Sequence, residues 1–189
     1  MTMQELGDKA LYQALTYAKS LDEQAGRKIL EQFQLEQPAF AQTIFGVFPS
    51  VIAAQSQSMA HLFMDLCFDI ICVFQHGFGP LPDQQTMGFE WLEKSAALMD
   101  TELQAMMSGK AMDAQFKNKL QDRFTDRLIN TNNQTGLINF LDESIEEYVA
   151  EYPASAEAIG LTKTMLFVVV QLFGSLYDHA ETTANRLNL

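Results

Sequence analysis

Residues 59–76 read MAHLFMDLCFDIICVFQH, the stretch that decides the fold of this chain. Apolar side chains cover most of the circumference when the segment is drawn as a helix with about 100° of rotation per residue. The ionisable residues share a single arc of roughly 80°; we name them the ionisable stripe, and they are His61, Asp65, Asp69, Cys72 and His76. The segment therefore predicts a long core helix that other helices must cover on most sides.

The rest of the chain also shows helical periodicity, and no segment shows convincing strand alternation. A chain of 189 residues that is 48% hydrophobic can bury a substantial core within one domain. We therefore predict an all-α fold, a single-domain bundle spanning residues 1–189 with about seven or eight helices. Two long central helices are expected over about residues 50–75 and 160–185.

Caps and helix-breaking residues predict several boundaries. A first helix is expected over residues 3–21, and Ser20 with Glu23 has the spacing of a capping box at the start of the second. Pro49 is expected to interrupt a third helix, after which the long central helix begins at about residue 50.

The loop HGFGPLPD, residues 76–83, is the clearest break in the chain because it holds two glycines and two prolines. Asp83 can cap the helix that follows it. An acidic helix is predicted over about residues 135–151, and Pro153 is expected to end it.

The charge of the chain excludes some classes of partner. Twenty-four acidic residues against twelve basic ones give a net charge of −12. This composition argues against a nucleic-acid surface and against an anionic membrane surface, since both need a basic footprint. A basic protein partner remains compatible with it.

The cysteines and the terminus predict a reduced, cytoplasmic, soluble protein. The N-terminal residues lack the basic and apolar regions of a signal peptide. The most apolar stretch, residues 165–177, is shorter than the about 20 residues that cross a bilayer. Cys67 and Cys72 lie on one helix and are poorly placed to form a disulfide.

The ionisable stripe raises the hypothesis of a metal site, because imidazoles and carboxylates bind divalent metals and residues four apart on a helix can share an ion. His61, Asp65 and Asp69 would supply ligands, and His179 on the last helix or another inward-facing carboxylate would complete the set. His61 and His76 cannot share one ion, since they are about 22 Å apart along the helix axis. The alternatives are that the stripe faces solvent, or that it is a polar seam between helices.

Catalytic motifs are missing from the sequence. There is no H-E-x-x-H, no Glu-x-x-His pair of the di-iron bundles and no G-x-S-x-G. Cys67 and Cys72 lie within an apolar helix, where no helix N-terminus stabilises a thiolate. These observations favour a non-enzymatic protein with no cofactor, with a divalent metal as the alternative.

Two apolar regions are candidate interaction sites. A methionine-rich segment that includes Met99, Met106 and Met107 can form an adaptable groove for a partner protein or an apolar small ligand. The last helix carries Val169, Leu172 and Leu176, which a homodimer could bury across a two-fold interface.

Three functions follow from these residues. The first is a non-enzymatic, cytoplasmic interaction or regulatory protein that binds another protein or an apolar ligand, as a homodimer. The second is a metal-dependent helical hydrolase or oxidase that uses His61, Asp65 and Asp69. The third is an acidic inhibitor or immunity-type protein that masks a basic surface on its target.

Overall fold

The computed structural model describes residues 3–95 and 134–187, together with positions 119, 122, 123 and 126 between them. Within these ranges every regular element is helical and there is no strand, so the all-α prediction is confirmed. In chain order the helices are α1 (Asp8–Ser20), α2 (Glu23–Glu36), α3 (Pro38–Gln42), α4 (Phe48–Ala53), α5 (Gln57–Phe78), α6 (Gln84–Met87), α7 (Thr135–Glu151) and α8 (Ala156–Leu187). A π-helical segment, Thr43–Val47, joins α3 to α4, and residues 90–95 are helical as well.

The two long helices, α5 and α8, lie together at the centre and run parallel. At their N-terminal ends the Gln55 amide donates to the Glu157 carboxylate over 3.3 Å. Near their C-terminal ends the Tyr177 hydroxyl donates to the Gly79 carbonyl over 2.8 Å. The prediction of a long central pair is therefore confirmed.

An aromatic cluster fills the core between the central helices and the elements that cover them. The Phe173 ring of α8 lies 5.0 Å from the Phe74 ring of α5 and 4.7 Å from the Phe40 ring of α3. Phe33 of α2 stacks on the same ring at 5.9 Å. All four side chains are fully buried, so α2 and α3 are held on the central pair by aromatic burial.

The first helix begins at Asp8, five residues later than the sequence predicts. Residues 3–7 are non-helical because side chains of other helices bind their backbone groups. The Met3 amide donates to the Asp178 carboxylate over 2.7 Å, and the Leu6 amide donates to the Gln134 side-chain oxygen over 3.1 Å. The Gln134 amide in turn donates to the Gln4 carbonyl over 2.9 Å. These partners are distant in sequence, so local periodicity could not reveal them.

Two predicted helix starts are wrong by a few residues. Asp22, not Ser20, caps α2, because its carboxylate accepts from the Ala25 amide over 2.7 Å. The long central helix starts at Gln57, where the Ser56 hydroxyl accepts from the Met59 amide.

The sequence predicts that Pro49 interrupts a helix, but in the structure the helical path from α3 to α4 continues through this proline. It lies in the first turn of α4, directly after the π-helical segment, whose wider turn ends with the Phe48 amide donating to the Thr43 carbonyl. A proline has no amide to donate, so a helix start is the position that tolerates it. The π-helical turn is the local adjustment that precedes it.

Both central helices are long and apolar enough to cross a membrane by length and composition alone. In each, 67% of the most apolar window is buried inside the fold, as in the core helices of soluble proteins. The apolar stretch at residues 165–177 lies within α8, a helix of 32 residues, so the shortness of that stretch does not by itself exclude a membrane span.

Candidate functional site

The ionisable stripe is divided between the interior and the surface. His61, Asp65 and His76 are exposed, whereas Asp69 is 3% exposed and Cys72 is fully buried. Helix α1 packs against α5 from Asp69 towards the C-terminal end of that helix: Lys19 binds Asp69, and the Tyr17 ring lies 5.4 Å from the His76 ring. The stripe is therefore neither uniformly exposed to solvent nor uniformly buried between helices.

Asp69 is paired with a residue that the sequence analysis does not single out. The Lys19 ammonium donates to the Asp69 carboxylate over 2.8 Å, and the lysine side chain is 64% exposed while the carboxylate side chain is 4% exposed. Burial raises the pKa of Asp69, and the hydrogen bond and charge of Lys19 oppose that shift. Lys19 therefore links a buried acid to the solvent and joins the end of α1 to the middle of α5.

The two cysteines are structural rather than nucleophilic. Both are free and fully buried. Burial raises the pKa of the Cys67 thiol well above its ordinary value, and burial with the Asp69 charge raises the pKa of Cys72 to about 12. Since the thiolate is the reactive form, neither thiol is activated at neutral pH.

The residues of the metal hypothesis are not brought together. His61 lies near the start of α5, while His179 follows Tyr177, which contacts Gly79 at the opposite end of that helix. The separation along the helix axis is about 27 Å. Among the described residues, no group of three or more His, Cys, Asp or Glu side chains has the geometry to hold a metal ion. His61 instead forms a 3.2 Å hydrogen bond with Gln57.

The proposed homodimer residues are buried within the chain itself. Val169 and Leu176 are fully buried and Leu172 is 2% exposed, because α8 lies in the centre of the bundle. In the folded protein these three side chains cannot supply a subunit interface, so their assignment as interaction residues is corrected. The methionine-rich segment with Met99, Met106 and Met107 lies outside the described residues.

The acidic helix, α7, presents a solvated face, and its predicted bounds are those observed. Four of its five acidic residues are exposed: Glu143, Glu146, Glu147 and Glu151. The fifth, Asp142, forms an ion pair with Lys163 of α8.

A groove opens beside the exposed part of the stripe, between α2 and α5. It has a volume of about 740 Å³. Its apolar surface comes from half-buried side chains of three elements, namely Leu30, Phe45, Met64 and Phe68. Charged side chains also line it, namely Lys19, Asp22, Glu23, Arg27, Asp65 and Asp69. An apolar cleft with a few polar groups is the general form of a binding site.

Local backbone features shape this groove. Gly26 has no side chain in the middle of α2, and a Cβ built there would lie 3.5 Å from the Phe68 ring. Its lack of a side chain leaves the space above the Phe68 ring open. Phe45, which also lines the groove, belongs to the π-helical segment, and single π-helical turns occur frequently at functional sites.

Asp65 and Asp69 are identified from the sequence as candidate site residues, whereas Lys19, Gly26 and Phe68 are not. An interior glycine costs a helix about 1 kcal/mol relative to alanine, so Gly26 was a detectable signal. Nothing local marks Lys19, because its partner is 50 residues away in the chain.

No protein-family model matches this chain, no curated protein matches it, and no solved structure matches it.

Proposed function

We propose that this chain is a non-enzymatic, cytoplasmic interaction protein that binds a segment of another protein in the groove between α2 and α5. The observation that carries the proposal is the groove itself, whose lining combines the apolar side chains of Leu30, Phe45, Met64 and Phe68 with charged side chains. Burying large apolar side chains contributes about 1.5–3 kcal/mol each, so a partner with a few such side chains can bind stably.

The chemistry of the surrounding residues supports binding over catalysis. The buried thiols are protonated at neutral pH, and the buried acid Asp69 is already engaged by Lys19. Cys67 and Cys72 are both unbridged, as expected in a reducing compartment. The homodimer stays a prediction, but α8 does not supply its interface.

Site-specific photo-crosslinking in the source cells tests the proposal. A photoreactive amino acid replaces Met64 inside the groove or, as a matched control, Tyr12, which is 72% exposed on α1 and does not line the groove. We expect one dominant protein adduct from position 64 and none from position 12. The adduct must disappear when Gly26→Leu fills the groove.

Three outcomes overturn the proposal. The first is no adduct from position 64, and the second is the same adduct from both positions. The third is an adduct with the mass of a small molecule, which would replace the protein partner with an apolar ligand. Thermal unfolding of Gly26→Leu shows whether that variant folds; if it does not, Met64→Gln with the photoreactive group at Phe45 replaces it.

A further inference from the structure

A second, smaller depression continues the groove along α2. It has a volume of about 370 Å³ and is lined by uncharged residues of α2, of α3 and of the π-helical segment. Phe45 lines both depressions. The α2 residues of the two depressions also share one face of the helix: Glu23, Gly26, Arg27, Leu30 and Gln34 fall within an arc of roughly 100°.

The length of this shared face fits a short helix. From Glu23 to Gln34 the face extends about 16 Å at 1.5 Å per residue, which corresponds to about three helical turns. Amphipathic helices that bind in grooves use apolar side chains three and four residues apart, and three turns present a full set of such positions.

The charges along the groove are uneven. The first depression carries four carboxylates, of Asp22, Glu23, Asp65 and Asp69, against the two cations of Lys19 and Arg27. Both cations are already paired, Lys19 with Asp69 and Arg27 with Glu23. Among the residues that the structure describes, no charged side chain lines the second depression. The net negative charge is therefore concentrated at one end, around the exposed Asp65.

We propose that the two depressions along α2 form one binding groove for an amphipathic helix of about three turns that carries basic residues at one end. This inference rests on the proposed function and specifies the partner. For the occupant of this groove, charge complementarity selects a basic helix over a second copy of this chain, which carries a net charge of −12. It also selects a basic helix over an anionic lipid, which the carboxylates would repel.

Fluorescence anisotropy with synthetic peptides tests the inference. Two labelled amphipathic peptides of about twelve residues share the same leucine positions and differ only in two lysines or two glutamates at one end. We expect the wild-type protein to bind the lysine peptide about ten-fold more tightly than the glutamate peptide, and added salt to reduce the difference.

Matched charge reversals assign the effect to the groove. Asp65→Lys should lower the affinity for the lysine peptide about five-fold. Glu143→Lys changes the net charge equally on the exposed face of α7, and it should alter the affinity less than about two-fold. Equal effects of the two reversals would overturn the placement of the charged end.

Two further outcomes separate this inference from the proposed function. If both peptides bind with equal affinity and Gly26→Leu abolishes that binding, the partner's basic end is wrong, while the groove is supported as a binding site. If neither peptide binds but position 64 still crosslinks a protein, the helical partner is wrong and the proposed function stands. Failure of both experiments overturns both proposals.

Discussion

Replacing Gly26 with alanine tests the packing of α2 against α5 at the groove. An interior glycine destabilises a helix by about 1 kcal/mol relative to alanine. The added Cβ would lie 3.5 Å and 3.8 Å from two atoms of the Phe68 ring, which is ordinary van der Waals contact. The methyl group therefore fits without strain and gains part of the roughly 0.8 kcal/mol that a buried methylene contributes.

We expect Gly26→Ala to raise the free energy of unfolding by about 1 kcal/mol. For a domain of this size that corresponds to a rise in Tm of about 2–4 °C. Thermal denaturation followed by circular dichroism measures the shift, and urea denaturation checks that the dependence on denaturant is unchanged.

Gly136→Ala in the first turn of α7 is the matched contrast, because a Cβ there would lie only 3.0 Å from a Leu11 methyl carbon. Its gain should be smaller than that of Gly26→Ala, or absent. A lower Tm for Gly26→Ala would refute the reasoning, since it would mean that the Phe68 ring lies closer to α2 and that the groove is filled at this point.

Four further predictions address the rest of the fold. Val169→Glu should lower the free energy of unfolding by roughly 3 kcal/mol or more because it buries a charge, and urea denaturation measures that loss. A variant that keeps its stability and only loses a dimer would contradict this prediction. Burial raises the pKa of Asp69 above its unfolded value, so the native state binds more protons between those values and loses stability as pH rises through that window. In urea denaturation, Asp69→Asn should therefore gain stability relative to wild type as pH rises through that window, and a difference that stays constant with pH would contradict the shift. Gln134→Ala should lower the free energy of unfolding by about 1–2 kcal/mol and speed proteolysis near the N-terminus, because Gln134 hydrogen-bonds to the backbone of residues 4 and 6. Unchanged proteolysis would show that these hydrogen bonds do not anchor residues 3–7. A thiol-reactive dye should label neither Cys67 nor Cys72 until denaturant is added, and labelling of the native protein would contradict their burial.

The fold class could be predicted from the sequence because it depends on periodicity. The apolar circumference of residues 59–76 requires a covered helix, and the observed bounds of α7 match the prediction from its flanking residues. The late start of α1 could not be predicted, since the Met3 amide is bound by Asp178 at the other end of the chain. Such partners are set by tertiary packing, which local patterns do not encode.

The candidate site could be predicted only in part, for the same reason. Asp65 and Asp69 stand out as carboxylates on an apolar helix, but periodicity cannot say that α1 buries one and leaves the other exposed. The groove also depends on the absence of a side chain at Gly26 and on the π-helical turn that presents Phe45. Val169 illustrates the opposite ambiguity, because an apolar helix can be a core or an interface and the sequence looks the same.

The most direct test of the central claim is a methyl NMR titration of the wild-type protein with the lysine peptide. We predict that the largest chemical-shift changes occur at the methyl groups of Leu30 and Met64, which line the groove. The methyl groups of Ile138 and Leu141, buried on α7, should change little. Changes that are largest on α7, or spread evenly over both sets, would contradict the groove as the binding site.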